Sequence, residues 1–205
     1  MTQFDLIVMD PPWWFSAVTA STFTCESRNR KKRTPYKPIP YPLMTDGEII
    51  DLDIRSLASR GCVLVLWCTA HHLSLACKCV ERWGFTVKQV GVWHKVKKDG
   101  STTMGLGTYL RNGHEQFLLC TTGSGARKSL ACHTVNSVFN HKRTGHSKKP
   151  ECIQDALEKM WPNRRRLEMF ARRDRLGWTC VGNQCPSTFG EDIRDSVERL
   201  KHGSL

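Results

Sequence analysis

No stretch of this 205-residue chain approaches the roughly 20 consecutive apolar residues that cross a bilayer. Nor does the N-terminus carry a basic-then-apolar leader, so the sequence reads as neither membrane-spanning nor exported. Internal repeats are lacking, and so is any linker that would divide the chain, which leaves one main domain. Negative charge is scarce: 19 acidic residues face 31 Lys and Arg, a net +12. An excess of that size points to an anionic partner, and nucleic acid fits it best. Cysteine is abundant at ten residues, yet no C-x-x-C pair occurs, so a metal site is not expected. Cys62, Cys68 and Cys120 stand inside apolar runs, where a thiol packs as a small hydrophobe in a reduced, intracellular protein. At 40% hydrophobic and 24% charged, the composition excludes a disordered chain.

The chain opens on a strand, Phe4-Asp5-Leu6-Ile7-Val8-Met9, ended by Asp10-Pro11-Pro12. Two prolines stop strand and helix alike, which puts Asp10 at a strand's carboxyl end, where open α/β sheets place their ligands. Residues 16–44 lack periodicity and carry a basic run at 28–33 and prolines between 35 and 42; they read as a long functional loop. Thr45-Asp46-Gly47-Glu48 is a capping box, opening a helix with Ile49, Ile50, Leu57 and Ala58 inward. Residues 62–67 have the continuous apolar character of a buried strand. Leu73, Ala76, Val80 and Trp83 share a helical face that Gly84 ends, and His71-His72 at that helix start read as capping or surface residues. Strands follow at 85–93 and 117–120, then a second irregular, basic insert near 122–147. Pro150 starts a helix whose stripe is Ile153, Ala156, Leu157, Met160 and Trp161. Strands at 166–171 and 178–181 complete the domain, 1–186, and a tail, 187–205, carries a short helix over 192–200. Alternating strands and helices with two-sided apolar strands imply an α/β sheet.

Asp10-Pro11-Pro12-Trp13 carries the most chemistry. The Asp10 carboxylate and the Pro11 carbonyl are two acceptors that can face one NH2 group. Holding both its hydrogens draws electron density onto the nitrogen as it attacks an electrophile. The Trp13 ring can stack on the flat ring that bears the amine. Adenine offers such an amine at N6, and in a duplex the base must be flipped out to present it.

The tetrapeptide resembles the signature of the MT-A70 family of S-adenosylmethionine-dependent N6-adenine methyltransferases. The resemblance continues in the family's order through Tyr41-Pro42-Leu43-Met44, Leu64-Val65-Leu66-Trp67, Trp83-Gly84-Phe85 and Val92-Trp93-His94-Lys95. It goes on through Tyr109-Leu110-Arg111-Asn112-Gly113-His114-Glu115, His146-Ser147-Lys148-Lys149-Pro150, Leu167-Glu168-Met169-Phe170-Ala171-Arg172 and Gly182-Asn183-Gln184. Any one block is weak, but the ordered set spans roughly residues 4–185. The resemblance implies a Rossmann-like class I methyltransferase fold in permuted motif order, a mixed α/β sheet flanked by helices. It also implies S-adenosylmethionine as cofactor and no metal.

On that resemblance, Asp10, Pro11, Pro12 and Trp13 are the catalytic candidates. Asp10, Lys149, Glu168, Arg172, Asn183 and Gln184 are the cofactor candidates, with Lys149 set at a helix N-terminus to meet the methionine carboxylate. Glu168 has a structural alternative, pairing with a nearby Arg. Trp14, Tyr41, Lys95, Arg111, Asn112, Glu115, Lys31, Lys32 and Arg33 are the substrate candidates, and the basic runs form a phosphate track. Many relatives place an acidic residue near the cofactor adenine upstream of the motif; here nine residues precede Asp10, so that contact is expected to come from elsewhere or to be missing. The expected reaction is methyl transfer to N6 of adenine in DNA, within a bacterial or phage-infected cell. RNA methylation and a non-catalytic nucleic-acid-binding partner are the alternatives, and a homodimer or heteromeric partner is compatible with either.

Overall fold

A computed structural model describes residues 3–14, 43–105, 109–145 and 148–203. Seven strands form one mixed sheet: β1 (Phe4–Met9), β2 (Ala58–Cys68), β3 (Thr86–Lys95), β4 (His114–Thr121), β5 (Val138–His141), β6 (Arg166–Met169) and β7 (Thr179–Val181). Their spatial order is β5-β3-β4-β2-β1-β6-β7. Strands β2, β1, β6 and β7 run parallel, β4 runs antiparallel to β2 and β3, and β5 joins β3 in parallel. This is the mixed, Rossmann-like α/β sheet expected from the sequence.

The central strands β1 and β2 are buried on both faces, as their apolar runs require, while much of β3 and β5 is exposed. Along β2, Cys62, Leu64, Leu66 and Cys68 face one core, and Val63, Val65 and Trp67 the other. The first core is closed by α1 (Asp46–Ile50), α2 (Ile54–Leu57), α3 (Leu73–Arg82) and α6 (Ile193–His202). The second is closed by α4 (Gly125–Lys128) and α5 (Cys152–Met160), through Ala126, Ile153 and Leu157, with Trp161 just past the end of α5. Among the described residues no helix is long and apolar enough to cross a membrane.

Several expected elements differ in detail. The helix opened by the Thr45 capping box stops after five residues. Asp53 then caps α2 through the Ser56 N–H, and Ala58 already belongs to β2. Leu73 is 37% exposed rather than inward. The insert near 122–147 contains α4 and β5, elements too short to leave a periodic signal. Strand β5 exists through pairing with β3, including the Val92 N–H to Ser137 carbonyl bond of 2.8 Å.

The segment read as a tail contributes to the core. Asp192 caps α6 through the Arg194 N–H, and Ile193, Val197 and Leu200 are buried in the cluster that holds Ile7 and Met9. Leu200→Ala is therefore expected to lower stability by about 3 kcal/mol, the cost of an unfilled core site. Urea titration checks this. The midpoint should fall with an unchanged slope, and a loss under about 1 kcal/mol would make α6 peripheral.

Candidate active site

Strand direction gathers the chemistry at one edge of the sheet. β1, β2, β6 and β7 all point their carboxyl ends there, delivering Asp10, Thr69, Phe170 and Asn183. Antiparallel β4 brings its start to the same edge, since Gln116 pairs with Cys68 and Glu115 with Trp93. Because β2 and β6 flank β1 and are reached in opposite directions, a crevice opens at this edge beside Asp10.

That crevice holds a cavity of about 340 Å³, lined among others by Asp10, Pro11, Thr69, Glu115, Lys149 and Phe170. Its further wall includes Arg172, Asn183, Gln184 and residues 190–194. At the centre, Lys149 Nζ lies 2.7 Å from Asp10 Oδ2 and 3.2 Å from Glu115 Oε2, and 5.2 Å above the Trp67 ring. Glu115 Oε1 in turn lies 2.5 Å from Lys95 Nζ, which sits over Trp93. Burial by itself would depress the Lys149 ammonium, but the charges of Asp10 and Glu115 outweigh it and hold its pKa above the ordinary lysine value. Burial would likewise raise the Glu115 carboxyl, and Lys149 and Lys95 reverse that, holding it below the usual range.

The Asp10-Pro11-Pro12-Trp13 segment is fixed by its own backbone. The Trp13 N–H donates to the Pro11 carbonyl at 2.9 Å, a three-residue turn, and the Met44 N–H donates to the Pro12 carbonyl at 3.2 Å. A carbonyl has two lone pairs, so Pro11 can still accept from a ligand. Trp13 lines the cavity. It is 4% exposed, its indole N–H donates to the Trp67 carbonyl at 3.0 Å, and His72 covers one ring face. The neighbouring Trp14 carries the open indole, at 50% exposure. His72, expected as a cap or surface residue, is buried.

Lys149, expected beside Pro150 at a helix start, lines both cavities just ahead of α5, which begins at Cys152, and it is paired with two carboxylates. Asn183 and Gln184 follow β7 into the cavity, with the Asn183 carbonyl fixed by the Gly190 N–H at 2.9 Å. Gly182 just before them must be glycine, because a Cβ there would lie 2.5 Å from the Ala171 carbonyl oxygen. Glu168 faces a second cavity, of about 300 Å³, where Arg173 Nη1 meets its Oε2 at 2.8 Å, the structural alternative raised by the sequence. Arg172 lines both cavities. Arg111 and Asn112 are exposed in the loop before β4 and line neither. Lys31, Lys32, Arg33 and Tyr41 lie outside the described residues.

Sequence reading overlooked Phe170, Thr69, His72 and residues 190–194. Phe170 lines both cavities with a positive φ of 60°, a strained conformation that a sequence does not display. Among the described residues no three His, Cys, Asp or Glu side chains gather as a metal cage would require.

Residues 4–184 match the MT-A70 family. The chain belongs to that family. It is 27% identical over 191 residues to the type II methyltransferase M.MunI of a Mycoplasma species, covering 90% of this chain and 78% of that protein. It is 27% identical over 192 residues to the N(6)-adenosine-methyltransferase catalytic subunit METTL3 of Homo sapiens, covering 89% and 28%. A putative N(6)-adenosine-methyltransferase of Medicago truncatula matches at 26% over 191 residues, covering 89% and 26%. The chain thus spans most of the first relative and about a quarter of the other two.

S-adenosylmethionine is the MT-A70 cofactor, and the donor set fits it. Asn183 and Gln184 carry paired donors and acceptors for ribose hydroxyls or an adenine edge, beside the apolar surface of Phe170 and Ile193. The carboxylate of Asp10 suits a cationic group, and Arg172 suits a carboxylate. A cavity of this size lies in the range of small-molecule sites.

The charges of the central cluster fix its response to pH. Glu115 has a lowered pKa, so its ion pairs stabilise the fold above the ordinary glutamate value of 4.5, and that contribution is lost as pH falls through the lower folded value. Lys149 has a raised pKa, so its contribution is present below 10.5 and lost only at higher pH. Glu115→Gln is expected to cost about 1–3 kcal/mol at neutral pH, as for a lost charged hydrogen bond. Denaturant unfolding should show that difference flat from pH 6 to 9, shrinking as the pH falls below about 4. A difference that grew on acidification would contradict the assignment.

Proposed function

We propose that this MT-A70 methyltransferase transfers the methyl group of S-adenosylmethionine to N6 of adenine in nucleic acid, with DNA ahead of RNA as substrate. The observation that carries the reading is the geometry at the end of β1. Asp10 Oδ2 is engaged by Lys149, and among the described residues Oδ1 is left to accept from a ligand amine, beside the second lone pair of Pro11. Two acceptors on one NH2 group orient the nitrogen lone pair and disperse the positive charge that grows on it during attack. The cofactor supplies the electrophile, a methyl group on a sulfonium sulfur. Lys149 holds Asp10 in place by its ion pair, and Glu115 completes the charge balance around the ammonium. The product ammonium sheds its proton after transfer, so no residue needs a near-neutral pKa for general-base work.

The choice of adenine draws on the relatives named as N(6)-adenosine methyltransferases. The lean to DNA draws on proportion, since the chain spans 78% of the type II methyltransferase M.MunI against 28% of METTL3. The net charge of +12 supports a phosphate track leading to the crevice. A reducing cytoplasm, bacterial or phage-infected, accords with nine free thiols among the described residues.

Incubation with isotope-labelled cofactor and adenine-containing DNA and RNA oligonucleotides, followed by nucleoside mass spectrometry, tests the reading. N6-methyladenine should appear first in DNA. Label in RNA alone would move the substrate, and a folded, cofactor-binding protein that labels no adenine would overturn the reaction. A protein that binds nucleic acid but no cofactor would favour the non-catalytic alternative. Asp10→Ala should reduce turnover by a factor on the order of hundreds, without rescue by excess cofactor and with nucleic-acid binding near normal.

A further inference from the structure

Among the described residues, His72 is a buried polar side chain that touches the catalytic segment without belonging to it. It is 4% exposed, on the single turn Ala70–His72 that leaves β2. Its ring lies parallel to Trp13, with centroids 5.5 Å apart and planes at 17°. Its Nε2 is 2.9 Å from the Trp14 carbonyl oxygen, and its Nδ1 is 2.8 Å from Thr69 Oγ1. A carbonyl oxygen only accepts, so Nε2 carries the hydrogen. In the neutral ring Nδ1 then has the lone pair, and the Thr69 hydroxyl must donate to it. Thr69 lines the principal cavity. With its hydrogen committed to His72, its oxygen offers only lone pairs to an occupant.

We propose that His72 is a positioning residue that sets the Thr69 hydroxyl as a lone-pair group facing the cavity, while clamping the Trp13–Trp14 backbone beside it. The proposal rests on the adenine reading and deepens it. With Asp10 and the Pro11 carbonyl holding the amine hydrogens, Thr69 adds no donor to that wall, which suits an amino-substituted purine and opposes one carrying an oxo group at the same position.

Protonation reverses the relay. An imidazolium donates from both nitrogens, so Nδ1–H would point at Thr69 Oγ1 and turn the hydroxyl hydrogen toward the cavity, donor against donor. Among the described residues the groups around the ring include His71, edge-on at 5.0 Å on the same turn, and Asp46 on α1, with Thr69 and the Trp14 carbonyl as bonded neighbours. Burial and His71 lower the proton affinity of His72, against the opposing pull of the Trp14 carbonyl and Asp46, and the lowering prevails. As pH falls below 6.5 the unfolded chain takes up this proton first and stability begins to fall; the Thr69 acceptor is lost later, as pH passes the lower folded value.

Nitrogen-15 NMR of the histidine rings in the full chain at neutral pH should show His72 as the Nε2–H tautomer. The Nδ1–H tautomer would overturn the proposal. This reading needs no substrate, so the expected tautomer in a protein that methylates no adenine would sink the adenine reading and leave the positioning geometry standing. With adenine oligonucleotides, Thr69→Val and His72→Phe should each lower kcat roughly tenfold, the loss of about one hydrogen bond, with cofactor Kd within about twofold. Thr69→Ser should restore the rate, and the acid limb of the wild-type kcat profile should vanish in Thr69→Val. If His72→Phe fails to fold, the two Thr69 variants carry the test alone. Wild-type rates and an unchanged acid limb in Thr69→Val would overturn the acceptor role.

Discussion

An ammonium withdrawn from water has to be met by opposite charge, and Lys149 is met from two strands at once. Asp10 reaches it from the end of β1 and Glu115 from the start of β4, with the Trp67 face beneath. Those two strands are not neighbours; β2 lies between them. The ion pairs therefore tie the crevice edge across three strands and set the distance between the groups that face the ligand. Lys95 extends the alternation by one charge, and the row Asp10, Lys149, Glu115, Lys95 is nearly neutral within a strongly basic protein. Removing one member leaves a partner charged and largely buried, which is the costly case for interior ion pairs.

Around that row the fold arranges groups of different reach. The tight turn at Pro11 aims one carbonyl, the approach of Gly182 to Ala171 aims the Asn183-Gln184 pair, and the strained Phe170 stands between the two cavities. The last wall comes from residues 190–194, beyond the stretch that matches the family. These residues are held by α6, and Arg194 joins Asp192 to Glu48 of α1 across the cavity rim at 2.6 and 3.1 Å. That bridge is exposed, so it guides geometry more than it stabilises the fold.

The parts legible in the sequence were those where a local pattern dictates position. Asp10 was placed by the apolar strand before it and the prolines after it, and Asn183-Gln184 by a strand ending in glycine. Both are where those patterns put them. Strand β5 was hidden because four residues carry no period, and its partner β3 lies more than 40 residues earlier. His72 was hidden for a related reason: its bond to the Trp14 carbonyl joins residues 58 apart, and nothing near His72 in sequence announces a buried partner. Lys149 was located, but its partners were not: a single sequence shows that a lysine precedes a helix, not that two carboxylates from distant strands will close on it. The covering of one Trp13 face by His72 was hidden in the same way, as a property of the packed molecule.

Asp10 and Lys149 act as one unit, and a double-mutant cycle with Asp10→Asn and Lys149→Met measures their coupling directly. Urea unfolding of the wild type, both single variants and the double variant yields their coupling. The expected result is a favourable coupling of about 1–3 kcal/mol, with the double variant more stable than the sum of the single losses implies. Losses that add to within about 0.5 kcal/mol would show that the two charges do not hold each other, and would contradict the central claim.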